Sequence, residues 1–349
     1  MHMSDALVSP AVGITGWGFA AALIYYCGRR LRDFMDSFKL PLMGVMGAFV
    51  FAAQMINFSI PGTGSSGHLG GGLLLAILLG PHAAFLVISS VLVIQAFLFA
   101  DGGLLSLGCN IINMGFIPAF VAYPLIFKPV VSRGAARGEK SRITAGAVLA
   151  SVAALQLGAF GVVLETVLSG VAELPFRTFL ILMQPIHLAI GAVEGLVTAA
   201  VVVFLWNARP DIFSEFTSRF SRKRSPARIA VYIIISATVV AGALSWFASG
   251  DPDGLEWSII GSSGSELEEP REGIYPPLAD LQERTSLFPD YLPQDAGEGA
   301  EPGWPDVNAG TSLAGLVGGA VTFILISLVA FLLKRRGAGT QNGGWKRII

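Results

Sequence analysis

Long apolar runs separated by short basic segments constrain this chain more than any other feature. A helix crosses a bilayer with ~20 apolar residues. Runs near that length stand at 7–27, 41–60, 105–127, 143–169, 183–206, 229–249 and 311–333. A further apolar stretch, 69–100, is interrupted by Gly80-Pro81-His82. As one helix it would be about 48 Å long, against a hydrocarbon core of ~30 Å. Two helices joined by a turn at Pro81 fit better and bring the count to nine.

Charge supports that count, because basic residues gather on the cytoplasmic side. With nine crossings and the N-terminus outside, 20 of the 23 Lys and Arg fall in the inner segments 28–40, 128–142, 207–228 and 334–349. Only Arg177, Arg271 and Arg284 lie outside. A single crossing at 69–100 would turn 16 basic residues outward. Charged residues make up 13% of the chain, about half the share of a soluble domain. The expected fold is therefore an all-α polytopic membrane protein in the cell membrane, with its C-terminus cytoplasmic. A net charge of −1 gives nucleic acid no purchase.

The chain divides into a dense seven-span block, 1–208, a basic linker, 209–228, and a two-helix hairpin, 229–349. The hairpin encloses a hydrophilic stretch, 250–310, with 14 Asp and Glu and no His, Cys or Met. It reads as a solvated, partly disordered loop or as an acidic collar that concentrates cations. Without imidazole or sulfur it is not itself a tight transition-metal site. Cys27 and Cys109 lie in apolar runs and read as small packing residues.

Chemistry concentrates at the N-terminus. The segment before the first run lacks a basic region, and no small-residue cleavage site follows the run, so Met1 is expected to remain in the mature protein. A free α-amine, the His2 amide nitrogen and the His2 ring close two fused chelate rings on one ion. They occupy three corners of a square, and square-planar nitrogen ligation suits Ni(II) or Cu(II). His68 lies in a glycine-rich loop on the same predicted face and offers a fourth nitrogen, with the Met1 thioether as a weak axial contact. The plain alternative leaves His2 as a frayed terminal residue and His68 as an ordinary loop histidine.

Polar side chains within the apolar runs are costly and often functional. Gln54 and Asn57, three apart, share a helix face, as do Asn110 and Asn113. Gln95 and Asp101 flank the outer end of the fourth span. These six read either as a shell that orients His68 or as interhelical hydrogen bonds. His187 and Glu194 lie seven apart on one face and read as a buried structural or coupling pair. His82 sits at an inner turn as a structural residue. Gly44, Ala48 and Ala52 form a small-residue stripe that faces either a neighbouring span or a partner subunit. No GxxxxGK[ST] occurs, so ATP-driven transport would need its ATPase in another chain.

Met1-His2-Met3-Ser4-Asp5-Ala6-Leu7 resembles the N-terminus of the nickel/cobalt substrate-binding M components of energy-coupling-factor transporters. So do Gln54 to Phe58, the segment through His68-Leu69-Gly70-Gly71, Gln95 to Gly103, Asn110 to Gly115, and His187 to Gly195. Pro252-Asp253-Gly254-Leu255-Glu256 resembles the small N component, so the chain looks like an M–N fusion. One departure is Ala6, where that family's pattern has glycine. The chelating residues are untouched by it.

The resemblance implies planar nitrogen ligation of nickel, or less so cobalt, by Met1, His2 and His68, with the ion as transported substrate. It also implies a transmembrane coupling protein and cytoplasmic ATPases as partners, and no enzyme activity or nucleotide in this chain. Two other readings stay open: a self-sufficient cation transporter or channel using Asp101 and Glu194, and an intramembrane metal hydrolase built on His187 and Glu194.

Overall fold

A computed structural model describes residues 1–34, 39–132, 139–208, 226–292 and 304–341. A 3₁₀ turn, Asp5–Leu7, leads into α1 (Pro10–Phe34) and α2 (Lys39–Gln54). A short antiparallel hairpin follows, β1 (Phe58–Ile60) and β2 (Ser65–Gly67), with Phe58 opposite Gly67. Next come α3 (Gly72–Leu79), α4 (Pro81–Phe99) and α5 (Leu107–Ile111). A wide-turned π segment, Ile112–Phe127, continues α5 and runs into α6 (Lys128–Ser132). Pro118 and Pro124 lie inside that segment and cannot donate to the helical ladder. The long helices α7 (Glu139–Ser169) and α8 (Phe176–Ala208) complete the first part of the chain. The remainder holds α9 (Pro226–Gly242), α10 (Gly254–Ser263), α11 (Tyr275–Thr285) and α12 (Ala309–Gln341).

Six of the described helical stretches are long and apolar enough to cross a membrane, and two shorter apolar helices, Pro41–Gln54 and Ala230–Gly242, accompany them. By length the described helices thus do not supply the nine crossings read from the sequence. The main departure lies in residues 55–80. The predicted span 41–60 ends at Gln54, and the chain turns into the hairpin instead. Asn57 therefore shares no helix face with Gln54; its carbonyl accepts from the Ser249 amide at 2.8 Å. The stretch 69–100 does break before Pro81, at Gly80 with φ +84°. Its first half, however, is the eight-residue α3, about 12 Å long.

The physical reason is local satisfaction of backbone groups. Irregular backbone survives at membrane depth only where protein surrounds and pairs it. Here the Glu194 carboxylate accepts from Gly70 N at 2.8 Å and Gly71 N at 3.1 Å, and Gln54 Nε2 donates to Gly70 O at 2.9 Å. Those bonds replace the turns of helix that the sequence reading supplied.

Small residues set the close approaches elsewhere. A Cβ on Gly195 would sit 2.5 Å from Val148 Cα, so α7 and α8 pack backbone to backbone. A Cβ on Gly44 would sit 2.4 Å from Ser327 Oγ, so this end of the small-residue stripe lies against the chain's own α12. Ala48 and Ala52 line an apolar groove between α2, α9 and α12. Cys27 and Cys109 are buried and free. His82 sits at the turn before α4, with Tyr26 and Phe120 rings 5.7 and 5.4 Å away.

The acidic stretch 250–310 is not loop throughout. It holds α10 and α11, and it returns to the first part of the chain. Tyr275 Oη donates to Val8 O at 3.0 Å, and Gln282 Nε2 donates to Gly102 O at 2.8 Å. Residues 209–225 of the basic linker lie outside the described residues.

Candidate metal centre

The first eight residues are threaded into the protein. The Asp5 carboxylate, 3% exposed, accepts from Leu105 N at 3.1 Å and Ser106 N at 2.9 Å. Met3 is clamped on both sides: its N donates to Asn110 Oδ1 at 2.9 Å, and its O accepts from Gly103 N at 2.9 Å. Gly103 has no substitute here, because a Cβ would overlap the Asp5 carboxylate. With residues 3 and 5 tied, the chain's first atoms have one place to go.

That place is beside His68. The Met1 α-nitrogen lies 3.4 Å from His68 Nε2, and the His2 and His68 ring centres are 5.1 Å apart. His68 Nδ1 donates to Leu69 O at 3.2 Å, which leaves the lone pair on Nε2 facing the amine. Burial pushes the His68 pKa down, and the Met1 ammonium and His2 add to the effect, bringing it to about 3. The ring is neutral at physiological pH and available to an ion.

Two carboxylates face this group. Asp253 Oδ2 accepts from the Met1 amine at 3.2 Å. Asp101 Oδ1 pairs with His2 Nδ1, while Asp101 Oδ2 accepts from Tyr291 Oη. Burial pushes the Asp101 carboxyl up, but the His2 charge and the hydrogen bonds from His2 and Tyr291 outweigh it and hold it at about 2. Asp253 behaves alike: burial raises it, and the Met1 ammonium, His68 and a backbone bond hold it well below the usual carboxylate range. His2 Nε2 is buried without a hydrogen-bond partner.

The position of Asp253 follows from its own motif. Asp253 Oδ1 accepts from Leu255 N and Glu256 N, each at 2.8 Å, and Glu256 Oε2 accepts from Asp253 N at 3.0 Å. This reciprocal box caps the start of α10. A Cβ at Gly254 would meet Ile186 at 2.6 Å, so only glycine lets the cap press onto α8. Ser66 N of β2 donates to Pro252 O at 2.8 Å, which docks the segment beside the strand leading to His68.

The six polar residues predicted as a shell scatter in their tasks. Gln95 Nε2 donates to Gln54 Oε1 at 3.0 Å and to Tyr291 Oη at 3.1 Å. Gln54 reaches Gly70 O, so hydrogen bonds run from His2 through Asp101, Tyr291, Gln95 and Gln54 to the loop after His68. Asn110 holds Met3. Asn113 turns away and donates to Glu165 Oε2 at 2.7 Å. Asn57 accepts from Ser249 N through its carbonyl and lines the outer pocket. His187 and Glu194 do not pair: His187 Nδ1 donates to Met183 O at 2.8 Å, and Glu194 holds Gly70 and Gly71.

Sequence reasoning missed Asp5, Asp253 and Tyr291 as neighbours of the site. The D-x-x-E spacing at Asp253 marks a helix start, but nothing local tells that its second oxygen reaches Met1. Among the described residues no three His, Cys, Asp or Glu side chains converge as a metal group.

Comparisons with known proteins identify the family. The sequence model of the cobalt uptake substrate-specific transmembrane region matches residues 2–212, and that of the PDGLE domain matches 227–335. A putative fused nickel transport protein, NikMN, of Archaeoglobus fulgidus is 32% identical over 93% of this chain and 96% of its own length. A fused nickel transport protein NikMN of Rhodobacter capsulatus is 32% identical over 84% of this chain and 89% of its own length. A cobalt transport protein, CbiM, of Geobacter sulfurreducens is 28% identical over 78% of this chain and 81% of its own. The crystal structure of a truncated transition metal transporter superposes with a TM-score of 0.52 at 29% identity, covering 60% of this chain and 99% of that one.

Proposed function

The chain belongs to the family of cobalt uptake substrate-specific transmembrane regions, fused to a PDGLE domain, and on that premise we propose that it binds nickel, less so cobalt, as the substrate subunit of an ATP-driven uptake transporter. It is a multi-pass membrane protein of a metal-transport family. The ion is the transported substrate and is held in a plane by the Met1 amine, the His2 amide nitrogen, the His2 ring and the His68 ring. The observation that carries the reading is the buried Met1 amine 3.4 Å from His68 Nε2. Cis nitrogens on an ion with bonds near 2.0 Å stand roughly 2.8 Å apart, so a small closure completes the set.

His2 Nδ1 is the ring nitrogen that closes a six-membered chelate with its own amide. Ligation through Nδ1 frees it from Asp101 and requires the Nδ1 proton to pass to Nε2, which is now without a partner. Binding removes a proton from the amide while adding a dication, and Asp101 and Asp253 serve as counter-ions to the site.

Residues 1–208 act as the substrate domain, 209–228 as a cytoplasmic linker and 229–349 as the accessory hairpin. The chain passes the bilayer nine times with the N-terminus outside, the third passage being made by residues 55–80 together, the β-hairpin with the short α3, rather than by a full helix. ATP hydrolysis belongs to partner ATPases joined through a transmembrane coupling protein. Nickel is preferred because planar nitrogen ligation suits it and because the two fused relatives above are nickel transport proteins by name. Metal analysis and an absorption spectrum of the purified chain test the reading. A diamagnetic yellow nickel species should form, and it should vanish in His2→Ala, in an N-acetylated chain, and on inserting a residue between Met1 and His2. Retention of that species after acetylation sinks the proposal.

A further inference from the structure

Two cavities meet at His68. The outer one has a volume of about 370 Å³ and is lined by His2, Asp101, Glu256, Glu269 and Asp290. The inner one is tight, with a volume of about 10 Å³, and is lined by Met1, His68, Met114, His187 and Asp253 among others. His68 and Asp253 border both. The N-terminal nitrogens therefore stand between a carboxylate-rich vestibule and a small pocket in the bundle core.

The inner pocket has a ligand with no assigned task. His187, 1% exposed, points Nδ1 back at Met183 O of its own helix at 2.8 Å. A carbonyl only accepts, so Nδ1 carries the proton and the lone pair of the neutral ring is on Nε2. Its Cε1, the atom next to Nε2, lies under Gly254, whose hypothetical Cβ would stand 3.3 Å away. Met114, from the π segment, forms another wall, and π turns concentrate at functional sites. Imidazole suits nickel and cobalt, whereas the thioethers of Met1 and Met114 are soft, polarizable lining.

We propose that His187 is a ligand for the transported ion and forms with His68 an inner station through which the ion leaves the N-terminal chelate. The proposal rests on the reading that the ion is first held at Met1, His2 and His68. His68 is common to both stations, so the ion never loses its last nitrogen while the amine, amide and His2 ring let go. Two imidazoles make a weak hold completed by water, as transit requires.

The test uses the full chain and Ni²⁺ alone. In a His2→Ala chain the planar chelate cannot close, and a weakly held ion should remain, with X-ray absorption counting two imidazoles. Adding His187→Phe should lower that residual affinity about tenfold or more and leave one imidazole. Adding His187→Cys instead should restore the affinity and put one sulfur in the ion's shell. With His2 intact, both His187 variants should keep the yellow planar species, which shows them folded. No residual ion in His2→Ala, an unchanged count in His187→Phe, no sulfur neighbour in His187→Cys, or loss of the planar species in both variants each overturns the station. Survival of the planar species in His2→Ala overturns the N-terminal reading instead.

Discussion

The α-nitrogen of Met1 and the carboxylate of Asp253, 252 positions apart, meet at 3.2 Å. One oxygen of Asp253 takes the amine while the other caps α10, so a single side chain ties α10 to the N-terminus. Asp253→Asn keeps a competent cap, since Asn caps about as well as Asp, but removes the charge facing the amine. Nickel affinity should fall about 10- to 100-fold with little change in thermal unfolding. Wild-type affinity in a nickel titration of this variant would show that the contact is incidental.

Gly103 is the point where the inserted N-terminus leaves no room. A Cβ there would overlap the Asp5 carboxylate. Gly103→Ala should therefore expel residues 1–5 and abolish nickel binding while the helical bundle stays folded. Circular dichroism beside metal analysis reads both halves of that expectation. Full nickel occupancy in this variant would mean the terminus need not be seated as it is here.

Glu194 holds the loop after His68 through two backbone bonds. Glu194→Gln gives up the charge on both, and hydrogen bonds to charged groups contribute about 1.5–3 kcal/mol each. Both the unfolding temperature and nickel affinity should drop, because His68 loses its anchor. If the alternative of Glu194 as an ion site in a lone transporter held, the variant would unfold normally and lose only ion movement.

Tyr291→Phe keeps the ring stacked on Phe99, 4.8 Å away, and deletes the hydroxyl shared by Asp101 and Gln95. Nickel affinity should weaken several-fold without loss of stability, since Asp101 retains its partner His2. A variant that fails to fold, or one indistinguishable from wild type in a titration, argues against the hydroxyl as a link to His2.

Nickel should release at least one proton per ion in neutral solution, the one leaving the His2 amide. His68, held near pKa 3, adds none. Affinity therefore falls as pH falls, because protons compete for the two main-chain nitrogens. Proton counting in weak buffer checks it, and release of fewer than one proton excludes the amide as a ligand.

Much of this was readable along the chain. Apolar run length and basic-residue placement identify a polytopic helical protein, and Met1-His2 with His68 carries its own chelate chemistry. The break before Pro81 was visible because glycine and proline end helices locally. The hairpin after Gln54 was not visible. Apolar residues continue through it, and one of its backbone amides, Ser66 N, is matched by Pro252 O, more than 180 positions later.

Short-range chemistry explains that division. Hydrophobicity and the reach of two consecutive residues around an ion depend on neighbours in sequence, so residue order is enough to read them. Which carboxylate faces the amine, which tyrosine braces Asp101, and why His187 and Glu194 part company depend on contacts across 99 to 252 positions. Such contacts arise only when packing of the helices brings distant segments together, and no local propensity encodes them.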